Sequence, residues 1–508
     1  MPWIIAIDAG TTGVRAFTTD HTGVALPPAY REFTQHFPQP GWVEHDPDEI
    51  YAVTLEVLAE AVERIASHSG EDPQRDSEVA AIGITDQRET IVAWDARSGE
   101  PRHNAIVWQD RRTTTRCREL EDAGHLPRIR ELTGLVLDPY FSATKAQWLL
   151  GPGGVVADDD LRFGTIDSWL LWKLTGGTAH ATDVSNASRT MLFDINSLTW
   201  SPELCELFGV PMAALPQVLP SAGEFGRTAG TGLIDGVPVA GIAGDQQSSL
   251  FGQACVREGM AKNTYGTGSF VLMNVGEQRP APTDALLATV AWQLPGAMLG
   301  SGDPLVTHYA LEGAIFSTGS AIQWLRDGLG IIEEASEVGP LSESVSDSGG
   351  VAVVPAFTGL GSPWWDPRAR GTILGITRGT TRAHLARAVV DSIVHQSRDV
   401  VDAMVEASGV QITELRVDGG AAVMDQLCTL QADLLGITVA RSAVTETTAL
   451  GATMLAGLGV GIFDSIDEVA DRWSADRRFK PRDERAEVDA AHARWHRAVQ
   501  RSMHWAPE

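Results

Sequence analysis

Short apolar runs that end on a carboxylate recur along this chain. Residues 3–7 form such a run before Asp8, and a second apolar run follows the Gly/Thr segment at residues 9–13. The pattern predicts a buried β-hairpin whose turn opens beside Asp8, with residues 23–34 as a third strand of a meander. Residues 259–273 repeat the plan of strand, Gly-Thr-Gly turn and apolar strand. This repetition indicates a duplicated architecture with one hairpin in each half.

Two further apolar strands carry ionisable residues at their carboxyl ends, where open α/β sheets bind ligands. The strand predicted at residues 79–85 runs into Arg88 and Glu89, and the strand predicted at residues 237–243 runs into Asp245. Arg88 and Glu89 offer donors and an acceptor that suit the hydroxyl groups of a small polyol; a salt-bridged surface loop is the alternative. Asp245 is a candidate general base, and a role as a helix N-cap is the alternative or an addition.

The Gly/Thr turns have the composition of a phosphate-binding loop. Gly13 lets the backbone approach a ligand, while Thr11, Thr12 and Arg15 offer donors to phosphate oxygens. Asp8 then suits a hydrated Mg²⁺, which usually takes one or two carboxylates. An ordinary hairpin turn is the alternative for a single copy, and the second copy argues against it. The chain has no G-x-x-x-x-G-K-[ST] sequence, which argues against a P-loop.

Helical periodicity separates these strands. It predicts one helix that opens at Asp46, mostly helical structure over residues 113–175 with an interruption at 138–141, and a long helix over residues 381–408. A glycine at position 409 is typical of the residue after a helix end.

Two aromatic residues near these strands are candidate ligand contacts. Trp108 lies in an apolar run and is a candidate to pack along the carbon chain of a ligand. Tyr140 lies on the helix interruption and is a candidate to contact a ligand with its hydroxyl. Core packing is the alternative for both side chains.

The length and the order of elements predict an α/β protein with two domains. A chain of 508 residues exceeds one typical core. We expect the domains at residues 1–250 and 251–508. The pattern of residues 415–422 predicts a strand, a glycine turn and a helix, which form a candidate platform for adenosine. Predicted strands alternate with helices up to residue 461, as is typical of a mixed α/β domain.

The charge and the cysteines restrict the partners and the compartment. The formal net charge of −27 argues against nucleic acid or an anionic membrane as partner, so any anionic ligand needs a local basic pocket. The four cysteines are scattered without a C-x-x-C pair, as is typical of free thiols in a reducing cytoplasm. The start of the chain has no pattern of a secretory signal, and no apolar stretch is long enough to insert in a membrane, so a cytoplasmic protein is expected.

Several long blocks, in the same order along nearly the whole chain, resemble the FGGY carbohydrate kinase family and in particular its glycerol-phosphorylating members. The blocks are residues 40–47, 83–90, 104–112, 185–193, 241–247, 262–268 and 355–361. The resemblance implies two actin-like, ribonuclease-H-like domains with a catalytic cleft between them, where ATP, Mg²⁺ and a polyol meet.

The resemblance also implies roles for individual residues. Glycerol would be held by Arg88, Glu89, Tyr140, Asp245 and Gln246, with Trp108 and Phe270 along its carbon chain. Magnesium would be organised by Asp8 beside Asp245, which would also be the general base. The nucleotide phosphates would meet Thr11, Thr12, Gly13, Arg15 and Thr267. The rest of the nucleotide site would be lined by Gly319, Gln323, Gly420 and Met424.

The chain departs from the family pattern at several places. Ala9 replaces a Gln and Gly13 replaces a Ser, so the first turn loses side-chain contacts but keeps its backbone donors. Met424 stands where an Asn commonly touches adenine, which puts base selectivity in doubt. Residues 229–238 lack the Arg of a fructose-1,6-bisphosphate loop, so that inhibition is in doubt too. Residues 293–308 look longer than the usual connection.

The expected reaction is in-line transfer of the γ-phosphoryl group of ATP to a terminal hydroxyl of glycerol, giving sn-glycerol 3-phosphate. A kinase of the same family that acts on another polyol or ketose, such as xylulose or erythritol, is the nearest alternative. A non-catalytic polyol or nucleotide sensor is a third. A homo-oligomer, dimer or tetramer, is expected for an enzyme of this size.

Overall fold

The computed structural model describes residues 2–68, 78–482 and 485–506. The strands are β1 Trp3–Ala9, β2 Gly13–Asp20, β3 Ala29–Glu32, β4 Glu44–His45, β5 Val79–Asp86, β6 Ile91–Asp95, β7 Ala105–Ile106, β8 Leu161–Thr165, β9 Ala181–Asp183, β10 Phe193–Asp194, β11 Thr199–Trp200, β12 Gln217–Leu219, β13 Ala222–Arg227, β14 Pro238–Gly244, β15 Ala261–Tyr265, β16 Ser269–Asn274, β17 Leu287–Pro295, β18 Leu305–Ile315, β19 Ala352–Val354, β20 Thr372–Leu374, β21 Glu414–Asp418, β22 Thr438–Ser442 and β23 Ala475–Phe479.

The helices alternate with these strands. They are α1 Pro47–His68, α2 Thr114–Asp122, α3 Leu126–Thr133, α4 Ser142–Leu150, α5 Ile166–Leu174, α6 Val184–Ala187, α7 Pro202–Phe208, α8 Asp245–Gly252, α9 Gly319–Asp327, α10 Val338–Glu343, α11 Arg382–Ser408, α12 Asp425–Leu435, α13 Thr447–Gly459, α14 Ile466–Asp471 and α15 Arg485–Ser502. Short 3₁₀ turns lie at Met212–Ala214, Gly296–Leu299, Ala335–Glu337 and Gly420–Val423.

The first large sheet is built on the N-terminal hairpin. It has the order β13-β14-β5-β1-β2-β3. Strands β1 and β2 are antiparallel, with Asp8 opposite Arg15, and β5 and β14 run parallel to β1. The predicted hairpin and third strand are confirmed, although the third strand is limited to Ala29–Glu32. Because parallel strands end at one edge, Asp8, Asp86 and Asp245 come to the same side of this sheet.

The second large sheet repeats this plan. Its order is β17-β18-β16-β15-β21-β22-β23. The antiparallel hairpin β15–β16 confirms the predicted second copy, and β21 runs parallel to β15 as β5 does to β1. A buried apolar cluster packs on each of the two sheets. A smaller four-stranded sheet, β4-β7-β6-β8, extends the first half.

In sequence, helix α13 lies between β22 and β23 of the second sheet, but it packs on the first sheet and on α8. Glycines make this approach possible, because a Cβ on Gly83 would lie 2.3 Å from the carbonyl oxygen of Ala452. A Cβ on Gly451 would lie 1.9 Å from the carbonyl oxygen of Ser248. Backbone contact on two sides therefore fixes α13 against the face of the first sheet and against α8, the helix that begins at Asp245.

The structure adds detail to three predicted segments. Residues 113–175 are interrupted before α4 as expected, but they also contain β8, which pairs with β6. The long helix ends as predicted, since Gly409 adopts a left-handed φ of 71°. Residues 293–308 form the tip of the β17–β18 hairpin. Within the described ranges, none of the helices combines the length and the apolarity that crossing a bilayer requires.

Candidate active site

Two buried arginines and two buried glutamates form a charge cluster between the sheets. Glu312 on β18 accepts hydrogen bonds from Arg88 at 2.5 and 3.1 Å and from Arg189 Nη2 at 2.9 Å. Arg189 Nε also donates to Glu89 Oε1 at 2.7 Å. None of these four residues is more than 3% exposed. Glu312 therefore joins two arginines that are contributed by the first half of the chain.

The cluster is balanced in charge, and each charge depends on its neighbours. Burial alone would raise the pKa of Glu312, but Arg189 and Arg88 lower that pKa to about 2. Burial raises the pKa of Glu89 despite the same two arginines. Glu89 has a φ of 64°, a left-handed conformation that non-glycine residues rarely adopt. Such strain persists only where surrounding contacts hold the residue in place.

Asp245 is the accessible carboxylate at this cluster. Its Oδ1 lies 3.1 Å from Arg88 Nε, and its side chain is 32% exposed. The N-cap of α8 is Gly244, and Asp245 is the first helical residue, so the N-cap alternative for Asp245 is wrong. A Cβ on Gly244 would lie 2.6 Å from Arg88 Cγ, which leaves no room for a side chain. The strand end thus holds Asp245 against a fixed cation while leaving it open to solvent.

Tyr140 and Trp108 form an aromatic face beside Arg88. Their rings meet edge to face with centroids 5.5 Å apart, and Arg88 Nη2 donates to the Tyr140 hydroxyl at 3.4 Å. The indole N–H of Trp108 donates to Thr11 Oγ1 at 2.9 Å. Trp108 therefore connects the predicted polyol contacts with the predicted phosphate turn. Buried Lys145 fixes the interruption before α4 by donating to the Tyr140 carbonyl at 2.8 Å.

The first turn places a carboxylate next to a cation that is already paired. Asp8 Oδ2 lies 3.5 Å from Arg15, which also forms an ion pair with Glu446, the residue before α13. Burial raises the pKa of Asp8 to about 7, and repulsion by Asp245 and Glu446 adds to this effect while Arg15 opposes it. Asp8 and Asp245 are thus close enough to repel one another.

Gly13 has a steric explanation in this structure. A Cβ at this position would lie 2.4 Å from the Arg31 carbonyl oxygen and 2.7 Å from the Tyr30 hydroxyl. The Tyr30 hydroxyl also lies 3.4 Å from Thr12 Oγ1, and Thr12 itself is exposed. Strand β3 therefore occupies the space that a serine at position 13 would need.

The second turn contacts the N-terminus of α9. The carbonyl oxygen of Thr267 accepts hydrogen bonds from the N–H groups of Thr318 and Ser320 at 3.0 Å, and Gly319 N donates to Gly266 O at 3.0 Å. Gln323 is exposed on the next turn of α9. Thr267 and the predicted residues of α9 are thus brought together.

The predicted adenosine platform follows β21, parallel to the second hairpin. Gly419 adopts a φ of 87° and its Cα approaches the Tyr265 backbone, while Gly420 is exposed. Met424 is half-buried, and its Cγ lies 3.5 Å from the position that a Cβ on Gly339 would occupy. An apolar side chain at position 424 therefore packs against α10.

Gln246 contacts Asp245, and its backbone N–H donates to Asp245 Oδ1 at 2.7 Å. The Gln246 side-chain oxygen accepts from buried Lys262 at 2.5 Å, and Lys262 also donates to Thr264 at 2.9 Å. Burial lowers the pKa of Lys262 to about 8. Phe270 is half-buried on β16, opposite Thr264, and packs against the apolar cluster around α8 and α13.

Four ionisable residues of this site were missing from the sequence-based prediction: Arg189, Lys262, Glu312 and Glu446. Glu312 carried a usable signal, because it is the single carboxylate in a largely apolar strand, whereas Lys262 lies in the polar strand Ala261–Tyr265. Arg189 and Glu446 lie in polar stretches with no comparable pattern.

Comparison with known proteins assigns this chain to a family. The profile of the FGGY family of carbohydrate kinases matches with its N-terminal domain at residues 3–252 and with its C-terminal domain at residues 261–460. The chain is 52% identical to a glycerol kinase of Dechloromonas aromatica, with 99% of this chain and 98% of that protein aligned. It is 50% identical to glycerol kinase 2 of Thermotoga maritima over 99% of both. The chain belongs to the FGGY family of carbohydrate kinases.

Solved structures of this kinase family agree in fold. The crystal structure of Plasmodium falciparum glycerol kinase with ADP superposes with a TM-score of 0.90 at 34% identity, covering 99% of this chain and 98% of that one. A xylulose kinase from Lactobacillus acidophilus has a TM-score of 0.85 at 20% identity, over 99% of this chain and 97% of that one, which shows the shared fold alone. The predicted two-domain, actin-like and ribonuclease-H-like α/β fold is confirmed.

Replacing Glu312 by Gln should destabilise this FGGY kinase by about 3–5 kcal/mol, because it leaves two buried arginines without a shared counter-charge. Urea unfolding monitored by circular dichroism measures the change. Asp327→Asn, which removes an exposed partner of Arg326, is the control and should leave the unfolding midpoint unchanged. Equal midpoints for Glu312→Gln and wild type would contradict the structural role of the cluster.

Replacing Asp8 by Asn should stabilise the metal-free protein at pH 8. The folded-state pKa of Asp8 is raised to about 7 from 3.8, so ionising Asp8 costs stability as the pH rises through this range. The difference between variant and wild type should therefore be small at pH 4 and largest above pH 7. Unfolding midpoints measured in EDTA across this range test it, and a constant difference at all pH values would contradict the assignment.

Proposed function

We propose that this chain catalyses ATP-dependent phosphorylation of glycerol to sn-glycerol 3-phosphate. The observation that carries the proposal is the accessible Asp245 carboxylate, held 3.1 Å from a buried arginine and beside an aromatic face. Identities of 50–52% to glycerol kinases over nearly the whole chain support glycerol as the acceptor. All four cysteines are free and buried, which supports a reducing cytoplasm as the compartment.

In the proposed mechanism the acceptor is bound by charged and aromatic side chains together. Arg88, Glu89, Tyr140 and Gln246 hold the hydroxyl groups, and Trp108 and Phe270 lie along the carbon chain. Asp245 accepts the proton of the attacking terminal hydroxyl. The ion pair with Arg88 holds Asp245 in place. The protein forms no covalent bond to the phosphoryl group in this mechanism, because positioning and electrostatic stabilisation account for most of the rate enhancement of phosphoryl transfer.

The nucleotide site is proposed between the two hairpin turns. Thr11, Thr12, Gly13, Arg15 and Thr267 would contact phosphates, and Gly319, Gln323, Gly420 and Met424 would line the remainder. Arg15 is paired with Glu446, so a phosphate group would compete with that carboxylate for the guanidinium. Domains at residues 1–250 and 251–508 would close on the cleft and exclude water.

A divalent cation fits the residues beside this site. Asp8 and Asp245 repel one another, and burial already disfavours the ionised form of Asp8, so a cation would relieve both effects. Mg²⁺ bound there by Asp8, next to Asp245, would neutralise negative charge on the phosphates. Buried Asp86 lies at the end of the adjacent strand, and its Oδ1 lacks a hydrogen-bond partner among the described residues.

The acceptor is tested by ADP release from Mg·ATP. The assay compares glycerol with xylulose, erythritol, dihydroxyacetone and no acceptor. We expect ADP release to depend strongly on glycerol. Preference for another acceptor would be consistent with kinase activity but would overturn glycerol as the substrate. If no acceptor stimulated ADP release, the proposed kinase reaction itself would be overturned.

Replacing Asp245 by Asn should lower kcat by about 10²–10⁴-fold, because the attacking hydroxyl loses its proton acceptor. Binding of glycerol should be partly retained, since Arg88 and the aromatic face remain. Steady-state ADP release and glycerol titration by calorimetry measure the two effects separately. Asp303→Asn, at the exposed tip of the β17–β18 hairpin, is a matched control. A turnover near that of wild type would exclude Asp245 as the base.

A further inference from the structure

A cluster of histidines and carboxylates joins the C-terminal helix α15 to the long helix α11. Nε2 of His496 lies 2.8 Å from Asp399 Oδ1, and Nε2 of His492 lies 3.2 Å from the same oxygen. The three donor atoms all lie within 4.8 Å of one another. None of these residues belongs to the proposed kinase site, so the cluster needs a separate explanation.

The sequence spacing presents these side chains on facing sides of two helices. His492 and His496 are four residues apart on α15, which puts them on one helical face. Asp399 and Asp402 are three residues apart on α11. Asp402 Oδ2 lies 4.0 Å from His492 Nε2, and its side chain is 59% exposed. Asp402 therefore offers an oxygen as a fourth ligand at the open side of the cluster.

The three donor atoms are close enough to one another to bind one small cation. Nitrogen and oxygen ligands lie about 2.0–2.2 Å from zinc, so in a tetrahedral site they lie about 3.3–3.5 Å from each other. The 3.2 Å separation between His492 and Asp399 Oδ1 is close to this value, and the 2.8 Å hydrogen bond between His496 and the same oxygen would lengthen when a metal replaces its proton. In addition, the buried Nε2 of His492 has no hydrogen-bond partner within the described part of the chain, despite facing that oxygen. A buried ring nitrogen without a partner, beside a carboxylate oxygen, is a position where a bound cation would satisfy both atoms.

Outer contacts orient the candidate ligands. The second oxygen of Asp399 accepts hydrogen bonds from the indole N–H groups of Trp495 at 2.7 Å and Trp364 at 3.3 Å. The Nδ1 atom of His492 lies 3.0 Å from Nδ1 of His395 and is hydrogen-bonded to it. Metal-binding histidines and carboxylates usually have such partners, which fix the ring and leave the other atom for the metal.

The local charge also favours a cation. Asp402 and Asp489 both pair with Arg398, whose Nε lies 3.2 Å from Asp402 and whose Nη1 lies 2.9 Å from Asp489. Asp489 also pairs with Arg485 at 3.4 Å. Together with Asp399, these three carboxylates and two guanidinium groups leave one net negative charge for a divalent ion to compensate.

We propose that Asp399, His492 and His496 bind a divalent transition metal ion of the zinc type, with Asp402 or a water as fourth ligand. Two imidazoles and a carboxylate are ligands that suit Zn²⁺, whereas Mg²⁺ and Ca²⁺ prefer oxygen ligands. The site is structural, because it joins α15 to α11. It rests on residues outside the proposed kinase centre and does not depend on the proposed function.

Cobalt(II) tests the site in the full-length protein after removal of metal with EDTA and without nucleotide. We expect one Co²⁺ per chain, with the strong visible absorption bands of four-coordinate cobalt, and loss of these bands when Zn²⁺ is added. Equilibrium dialysis with Zn²⁺ gives the affinity. Absence of both the bands and stoichiometric Zn²⁺ binding would overturn the proposal, and the cluster would then be an ion pair that docks α15.

Variants locate the bound ion. His496→Gln should weaken Zn²⁺ binding by at least about 10–100-fold, the loss that follows even from removing an outer partner of a ligand. The side chain of His496 is 44% exposed, so this variant should fold, and Asp399→Asn provides a second ligand variant. His504→Gln, at an exposed histidine, and Asp8→Asn, at the proposed kinase centre, should keep wild-type affinity. Unchanged affinity in both ligand variants would overturn the assignment of the site.

Discussion

The buried pairing of Arg88 and Arg189 with Glu312 and Glu89 is the interaction on which the candidate site depends. Removing a charge from water is costly, and partners with good hydrogen-bond geometry are needed to offset that cost. Here each glutamate has an arginine at hydrogen-bonding distance. Because Glu312 lies on the second sheet and Arg88 follows the first, the pairing links both halves of the chain. The same Arg88 then lies 3.1 Å from Asp245, so the balance of charge also positions the proposed base.

Helix α13 provides the second constraint. Glycines on β5, on β14 and on the helix itself let backbones touch, and any Cβ at these positions would collide with main-chain atoms. The close contact brings Glu446, which precedes α13, to Arg15 on the first hairpin. Thr447 and Ser249 likewise meet at 3.2 Å beside Asp418 of the second sheet. Steric fit at glycines thus sets the positions of charged groups that are far apart in sequence.

The candidate site stores unfavourable electrostatic energy in the absence of ligands. Burial and the charges of Asp245 and Glu446 raise the pKa of Asp8, which means that the ionised form destabilises the folded protein. The divalent cation proposed for this site would relieve that repulsion, and preorganised charge usually contributes more to catalysis than any other single effect. Lys262 shows the converse case, since burial lowers the pKa of a lysine that is held by Gln246 and Thr264.

Local patterns in the sequence determined the two hairpins, the long helix that ends at Gly409, and the position of Asp245 at the end of an apolar strand. These features depend on side-chain alternation and turn chemistry over short stretches. The α/β class and the family followed from the same stretches read together. Only the tertiary structure decided that Glu312 lies against Arg88, 224 residues away, that Tyr30 fills the space beside Gly13, and that Asp399 meets His496 across 97 residues. Such contacts depend on how helices and sheets pack, and periodicity within one element carries no information about the side chains of another.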